Sequence, residues 1–171
     1  HITQVTPTEG TVGTLITVTG DGYAATETVR IDFGLTTSRT SVVSDHRGWF
    51  EKTFTIDIQP YGITNVVATG MDSYATETDS LLIKGNITDI LPAFGTVGSR
   101  VTVTGNGWIA EESIQILFGY EAITDTNANS YGEFTVHFTV NTQAAGTTTV
   151  EVIASLSPQD IVGGFYIHGN V

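Results

Sequence analysis

Oxygen-bearing side chains alternate along one short stretch of the chain, at Asp125, Asn127 and Asn129, and Glu133 follows shortly after. Alternating carboxylate and amide oxygens are the ligands that a Ca²⁺-binding loop supplies. The EF-hand version of such a loop has glycine at its sixth position, where this chain has Ser130. The same residue types also suit a tight hairpin that binds no metal. The sequence therefore supports two alternatives here, a calcium site and a plain turn.

The charge of the chain also favours cations as small partners. It contains 18 acidic and 6 basic residues, which give a net charge of −12. Nucleic acids and anionic membrane surfaces are excluded, because binding them depends on lysine and arginine. Calcium is the one cofactor that this balance suggests. A second set of carboxylates is expected to lie near the junction of two halves of the chain, namely Asp72, Asp79, Asp89, Glu111 and Glu112.

Residues that could perform catalysis do not occur in a catalytic pattern. The four histidines, at positions 1, 46, 137 and 168, lack the spacing of metal ligands. The sequence has neither a Gly-x-Ser-x-Gly nucleophile elbow nor a phosphate-binding glycine loop that opens a helix. It also lacks cysteine, which excludes disulfides and thiol chemistry. We therefore predict that the chain is not an enzyme.

Two features predict contacts at the surface. Asn86 begins the N-glycosylation sequon Asn86-Ile87-Thr88, and Asn170 would begin another if threonine followed Val171. The apolar side chains of Trp49, Leu117 and Tyr166 fall at positions that alternate with core residues, so we expect them to point outward. Outward apolar groups that lie together mark a contact surface. Glycans and other copies of the chain are the partners that these residues suggest.

The elements that position these groups come from an internal repeat. Residues 2–34 recur as residues 87–119 at an offset of 85, and residues 48–54 recur as 132–138 at an offset of 84. The repeat divides the chain into two domains, residues 1–85 and 86–171. Both ends of the sequence fall at the same phase of the repeat, since 169–171 matches 85–87. We therefore expect the parent protein to continue beyond Val171 as a longer array.

Each half shows the two-residue period of β-strands that have one apolar and one polar face. In the first half we predict seven strands, near residues 2–6, 14–20, 28–33, 38–43, 49–58, 63–69 and 79–84. Glycine, proline, asparagine and aspartate separate them. This pattern predicts an all-β fold of two tandem immunoglobulin-like sandwiches with about seven strands each. The strands near 39–43 and 122–124 are expected to lie at sheet edges, and the first strand is expected to make a parallel edge contact.

Motifs within the repeat carry a resemblance to a known family. An Ile-x-x-Val-x-Pro segment at residues 2–7 is followed by Gly-x-x-Gly at 10–13, Thr-Val-Thr-Gly at 17–20 and Gly-Tyr at 22–23. The second half repeats the pattern over residues 87–108. This succession resembles the IPT/TIG group of immunoglobulin-like domains, and the hairpins at 45–50 and 129–134 are similar to those of bacterial and archaeal surface repeats. DNA-binding members of the group use basic loops, which this chain lacks, so DNA binding is not expected.

These observations favour a structural repeat unit of an extracellular assembly at a cell surface, such as an S-layer, sheath, filament or adhesin stalk, that acts by self-packing. Two alternatives stay open. One is a binding module for a carbohydrate or receptor, for which Trp49, Trp108 and Tyr131 are the candidate exposed aromatic residues. The other is a set of spacer domains in a larger secreted enzyme. Apolar runs long enough to cross a membrane are absent from the sequence, so direct membrane insertion is not expected.

Overall fold

The computed structural model describes residues 1–169, in which the chain forms two compact units, His1–Lys84 and a second that begins at Gly85. All regular structure in residues 1–169 is β-strand. Each unit contains two facing sheets that enclose one hydrophobic core. The predicted all-β fold of two tandem immunoglobulin-like sandwiches is thereby confirmed.

The first unit has eight strands, one more than predicted, because a two-residue strand interrupts the loop after the first. They are β1 (Ile2–Thr6), β2 (Glu9–Gly10), β3 (Leu15–Gly20), β4 (Thr28–Phe33), β5 (Thr36–Val43), β6 (Phe50–Thr55), β7 (Gly62–Gly70) and β8 (Thr76–Ile83).

The second unit repeats this succession. Its strands are β9 (Asn86–Leu91), β10 (Phe94–Gly95), β11 (Arg100–Asn106), β12 (Ser113–Phe118), β13 (Glu121–Asn127), β14 (Phe134–Thr139), β15 (Gly146–Ala154) and β16 (Asp160–Ile167). In both units the peptide bond that precedes the proline after the first strand, Pro7 or Pro92, is cis.

The two sheets of a unit differ in size and share one plan. The three-stranded sheet has the order β1-β3-β6 in the first unit and β9-β11-β14 in the second. The five-stranded sheet has the order β2-β8-β7-β4-β5, and β10-β16-β15-β12-β13 in the second unit. Pairing is antiparallel except where β2 meets β8 and β10 meets β16. The parallel edge contact therefore exists, but the short second strand makes it and not the first.

Alternation of apolar and threonine side chains explains why the central strands form. Along β3, Ile16 and Val18 are fully buried, whereas Thr17 lies on the outer face. Threonines on that outer face bond across strands, as in the 3.2 Å Thr17–Thr53 hydroxyl pair and the 2.7 Å Thr88–Thr104 pair. Such cross-strand pairs stabilise sheets without adding charge. They account for part of the unusual content of 30 threonines.

One aromatic position differs between the two cores. Tyr23 packs edge-on against Phe50 in the first unit, with ring centroids 5.3 Å apart, and Trp108 packs against Phe134 in the second, at 5.8 Å. Trp108 is fully buried. Its proposed place among exposed binding aromatics was therefore wrong, because the repeat puts this side chain in the core position that Tyr23 occupies.

The fifth predicted strand, residues 49–58, was too long. β6 ends at Thr55, and beyond it Ile58 is 44% exposed while Gln59 is buried. The Gln59 side chain accepts a hydrogen bond from the Leu35 backbone amide at 3.0 Å and donates one to Asp57 at 3.0 Å. Because Gln59 satisfies the backbone of the β4–β5 turn, the polar residue is buried and the apolar Ile58 is not.

Candidate functional site

A buried carboxylate organises one end of the first unit. Glu27 accepts hydrogen bonds from the backbone amides of Asp72 and Ser73 at 3.0 and 2.9 Å, from the Ser73 hydroxyl at 2.7 Å, and from the Ala24 amide. Burial opposes ionisation of this carboxyl, but the bonds from Ser73, Ala24 and Asp72 outweigh that effect and lower the pKa of Glu27 to about 2. The carboxylate thus holds the loop before β4 against the β7–β8 turn.

Glu112 has the same role in the second unit. Its carboxylate accepts hydrogen bonds from the Ile109 amide at 2.6 Å and from the Leu156 and Ser157 amides at 3.2 and 3.0 Å. The Ser157 hydroxyl donates to it as well, at 3.0 Å. Glu112 is buried and fully bonded within its own unit. These bonds occupy both of its oxygens, and cation binding near the junction of the two halves stays a prediction. In the sequence, nothing distinguishes Glu112 from the exposed Glu111 beside it.

The hairpin that contains Asn129 is an Asx turn. Oδ1 of Asn129 accepts the backbone amides of Tyr131 and Glu133 at 2.9 and 3.0 Å. Asp45 makes the same turn in the first unit, with the amides of Arg47 and Trp49 at 2.7 and 2.9 Å. Two amide donors occupy both lone pairs of the Asn129 oxygen. This geometry matches the alternative of a plain turn.

Asp125 and Asn127 lie on the edge strand β13, and both side chains are exposed. Nδ2 of Asn127 donates to the Glu111 carbonyl at 3.2 Å. Asn127 and Asn129 both line a cleft on the surface of the second unit, and Asp125 is not among its lining residues. Calcium binding by these three residues stays a prediction. Over residues 1–169, the structure shows no group of three histidine or acidic side chains placed to hold a metal ion.

The cleft lies where the outer face of the sheet β9-β11-β14 meets the β13–β14 hairpin, and its volume is about 360 Å³. Three hydroxyls, three amides and one carboxylate surround it, above the buried ring of Phe134. These polar groups belong to Thr88, Thr104, Thr135, Asn106, Asn127, Asn129 and Glu133. The spacing of Asn127 and Asn129 marks two of these residues in the sequence, but the threonine row leaves no such mark, because a two-residue period on three separate strands does not show which threonines are neighbours.

The side chains predicted to make self-contacts reach the surface to different extents. Trp49 is 45% exposed and Tyr166 is 49% exposed, whereas Leu117 is half-buried. Tyr166 belongs to an aromatic cluster that the sequence analysis missed. Its ring lies 5.2 Å from that of His168, which in turn lies 5.4 Å from the exposed ring of Phe94. The parallel pairing of Phe94 with Tyr166 brings these residues together.

Asn86, the predicted glycosylation site, is the first residue of β9 and is half-buried opposite Asn106. The second sequon, at Asn170, lies outside the described residues. His137 is exposed on the outer face of β14, where its ring nitrogen bonds the Thr102 hydroxyl at 2.8 Å. Among the residues that the structure describes, no helix is long and apolar enough to cross a membrane.

The two units differ at the edges β5 and β6 and their counterparts β13 and β14. In the first unit, Arg39 of β5 donates to the Thr55 carbonyl at 2.7 Å and lies over the Phe54 ring at 5.6 Å. Lys52 of β6 stands opposite the core residue Val18 and is half-buried. Lys52 has the inward phase of Phe50 and Phe54. Arg39 lies at an irregularity of β5, between the pairs Ile31–Thr40 and Phe33–Thr36, and from there it reaches inward over the Phe54 ring.

In the second unit, strand pairing puts Ile123 at the position of Arg39 and Val136 at that of Lys52. Ile123 packs against the core and Val136 belongs to it. Apolar residues therefore replace the inward cations at both of these edges.

Comparison with known proteins adds a family and a set of distant structural similarities. A family model described as "IPT/TIG domain" matches residues 1–82 and again residues 86–164. No curated protein sequence matches the chain significantly. Among solved structures, the chain is similar to the D0-D1 domain of intimin, with 17% identity and a TM-score of 0.38, over 96% of this chain and 98% of that one.

Two further structures are similar over shorter parts of their own length. Invasin, titled a bacterial integrin-binding protein, is 19% identical with a TM-score of 0.44, over 96% of this chain and 39% of invasin. The Yersinia pseudotuberculosis adhesin InvE is 12% identical with a TM-score of 0.40, over 96% of this chain and 58% of InvE. Similarities at this level carry no argument about function. The family matches do cover most of the chain, which therefore belongs to the IPT/TIG domain family and contains two tandem copies of that domain.

Proposed function

We propose that the chain is a structural segment of an extracellular, cell-surface assembly, such as an S-layer, sheath, filament or adhesin stalk, in which copies pack edge to edge. The observation that carries this proposal is the difference between the edges of the two units. An exposed edge strand presents unpaired backbone groups, and an inward-pointing charge is one device that prevents another strand from pairing there. Arg39 and Lys52 supply that device in the first unit, and Ile123 and Val136 do not supply it in the second.

Exposed apolar side chains support the same role. Trp49 and Tyr166 each leave about half of their surface in water, and Tyr166 extends into the cluster with Phe94 and His168. Together with the half-buried Leu117, they are the side chains that we propose to be covered by neighbouring copies. Glycans attached at Asn86 are a further proposed partner. The histidines are dispersed along the sequence, and this agrees with a structural role, which needs no reacting group.

Charge sets the conditions under which packing should occur. The net charge of −12 makes copies repel one another, and exposed charges interact over about 10 Å at 0.1 M salt. Five of the six basic residues lie in the first unit: Arg30, Arg39, Arg47, Lys52 and Lys84. Arg100 is the only one in the second. Assembly should therefore strengthen as monovalent salt or Ca²⁺ is raised.

The decisive experiment gives the edges of the second unit the inward-pointing cations that Arg39 and Lys52 supply in the first. We expect Ile123→Arg combined with Val136→Lys to abolish concentration-dependent association in sedimentation velocity, while the wild-type chain associates. Both proteins are measured at low and near-physiological salt, with and without Ca²⁺. Thermal unfolding shows whether the variant is folded.

A matched control changes charge by the same amount away from these edges. Thr147→Arg combined with Thr149→Lys places two cations on β15, an interior strand of its sheet. We expect this protein to associate more strongly than the edge variant. A wild-type chain that stays monomeric in every condition contradicts self-packing, and equal effects of the two variants assign any association to net charge.

A further inference from the structure

The polar cleft of the second unit has a lining that the assembly proposal does not use. Its floor is a row of hydroxyls that crosses three strands. Thr88 and Thr104 are 2.7 Å apart through their oxygens, and Thr135 pairs with Thr104 across the strands. A threonine hydroxyl both donates and accepts hydrogen bonds. This row therefore offers both hydrogen-bond donors and acceptors to a molecule that lies on the sheet.

The hairpin forms the wall of the cleft. Glu133 is half-buried there, and one of its oxygens accepts the Asn129 side-chain amide at 3.2 Å. The carboxylate still has its other oxygen to accept a hydrogen bond. Asn127 donates through Nδ2 to the Glu111 carbonyl, which fixes the orientation of the Asn127 side-chain amide. The oxygen of that amide is then the atom that can accept a hydrogen bond. Tyr131 belongs to the same hairpin and is 55% exposed, but it is not among the lining residues of the cleft.

Asn106 adds an independent observation. Its Oδ1 is buried and has no hydrogen-bond partner among the described residues. A buried acceptor without a donor costs free energy. Asn106 is one of the residues that line the cleft. A ligand that brings a donor to this wall would remove the cost.

These groups distinguish between classes of ligand. The negative charge of Glu133 disfavours an anion. Arg100, the one lysine or arginine of the unit, cannot offset that charge, because it begins β11 and the cleft lies at the other end of that strand. A calcium ion needs about six to eight oxygen ligands. The cleft has a single carboxylate, and the Asn129 oxygen already accepts two amides. A neutral molecule rich in hydroxyl groups matches a lining that both donates and accepts.

We propose that this cleft binds a neutral sugar residue, with Glu133 and Asn127 accepting hydrogen bonds from its hydroxyls and the threonine row lying beneath it. The volume of about 360 Å³ falls within the range of roughly 300–1,000 Å³ that is usual for small-molecule sites. The cleft belongs to the second unit in particular. In the first unit Trp49 stands at the position of Glu133, and Val43 stands at that of Asn127.

The test is a titration of the ¹⁵N-labelled chain, followed by NMR, with glucose, galactose, mannose and N-acetylglucosamine as separate probes. We expect saturable shifts in the backbone amides of Asn129–Phe134 and in the side-chain amide of Asn127 with at least one probe, at millimolar affinity. Glu133→Trp, which copies the first unit, should abolish them. Asn127→Ala should weaken binding about tenfold, because one hydrogen bond to the ligand is lost.

Controls separate this proposal from its rivals and from the assembly. Thr53→Ala, on the outer face of the first unit, should leave the shifts unchanged, and unfolding temperatures show that the variants are folded. Absence of saturable shifts with all four sugars overturns the proposal. Shifts of the same amides by CaCl₂ alone, with none by sugars, assign the cleft to a cation and overturn it as well. The sugar titrations are made at low salt, at which the net charge of −12 opposes association, so their outcome does not depend on self-packing.

Discussion

At the scale of single residues, the glycine in each Asx hairpin shows why the repeat keeps its turn residues. Gly48 has a φ of 80°. Its backbone amide donates a hydrogen bond to the Asp45 carbonyl, and its carbonyl accepts one from the Tyr23 amide at 3.2 Å. A Cβ at Gly48 would overlap the carbonyl oxygen of Tyr23. Gly13 has a similar φ of 90° but open space around it.

The two glycines allow the cost of backbone conformation to be separated from the cost of overlap. We expect Gly13→Ala to lower the free energy of unfolding by about 1 kcal/mol, which is the penalty for a left-handed residue alone. Gly48→Ala should cost ~3 kcal/mol or more, because the overlap adds to that penalty. Urea denaturation of both variants measures the difference. Equal losses would mean that the Gly48 turn relaxes and that the contact with Tyr23 is not essential.

Glu27 predicts a specific dependence of stability on pH. Its pKa in the folded chain is about 2, below the ordinary value of 4.5 for glutamate. The ionised carboxylate therefore stabilises the fold fully above pH 4.5, and this contribution is lost as the pH falls toward 2. Glu27→Gln should lower stability at pH 7 by about 2 kcal/mol, since hydrogen bonds to a charge are lost.

The same substitution should also flatten the stability profile between pH 5 and 2 relative to the wild-type chain. Glu51→Gln, which removes an equal charge from the exposed face of β6, serves as the control. Denaturant unfolding across this pH range gives both profiles. A Glu27→Gln profile parallel to that of the wild-type chain would show that another group causes the acid sensitivity.

At the scale of strands, we propose that the edges control self-packing. The first unit allows the converse experiment, in which an inward-pointing cation is removed from an edge. Lys52→Val gives β6 the apolar residue that β14 has at Val136. We expect this variant to associate at lower protein concentration than the wild-type chain in light scattering. Lys84→Val is the matched control, because it removes the same charge from a surface ion pair with Glu9. Association that increases equally in both variants would point to charge alone.

Most of the strand pattern was predictable because burial on one face imposes a two-residue period. β1, β3, β4 and the edge positions of β5 and β13 agree with the prediction for that reason. β2 and β10 were missed because two residues that pair in parallel leave no periodic signal. Gly20 ends β3, and the Phe50 ring occupies the space of its missing side chain, whereas Gly22 makes the turn.

The site was less predictable than the fold, for a physical reason. Asn129 and Glu133 are close in sequence, so the hairpin could be recognised, but the threonine row is assembled from three strands whose register only the fold defines. The roles of Glu27 and Glu112 were missed for a similar reason, since most of their hydrogen bonds come from turns more than forty residues away. Long-range partners of polar side chains leave no pattern in the local sequence.

At the scale of the whole molecule, each unit has a core of its own. The buried clusters lie entirely within residues 5–83 and 101–167. We propose the domain limits 1–85 and 86–171 and expect each piece, expressed alone, to unfold in a single cooperative transition by calorimetry. A unit of this size buries about 60% of its unfolded surface, which is enough for a small domain to fold alone with modest stability. A piece without a cooperative transition would contradict these limits.

The uneven distribution of basic residues has a consequence for digestion. Enzymes that cut after lysine or arginine find no site anywhere in residues 101–171, and in the second unit their one target is the bond that follows Arg100. That bond lies at the start of β11, where Arg100 and Val101 pair with β14. Trypsin should thus leave the folded second unit whole while it nicks the first, and peptide mapping of the unfolded chain would detect residues 101–171 only as one long fragment.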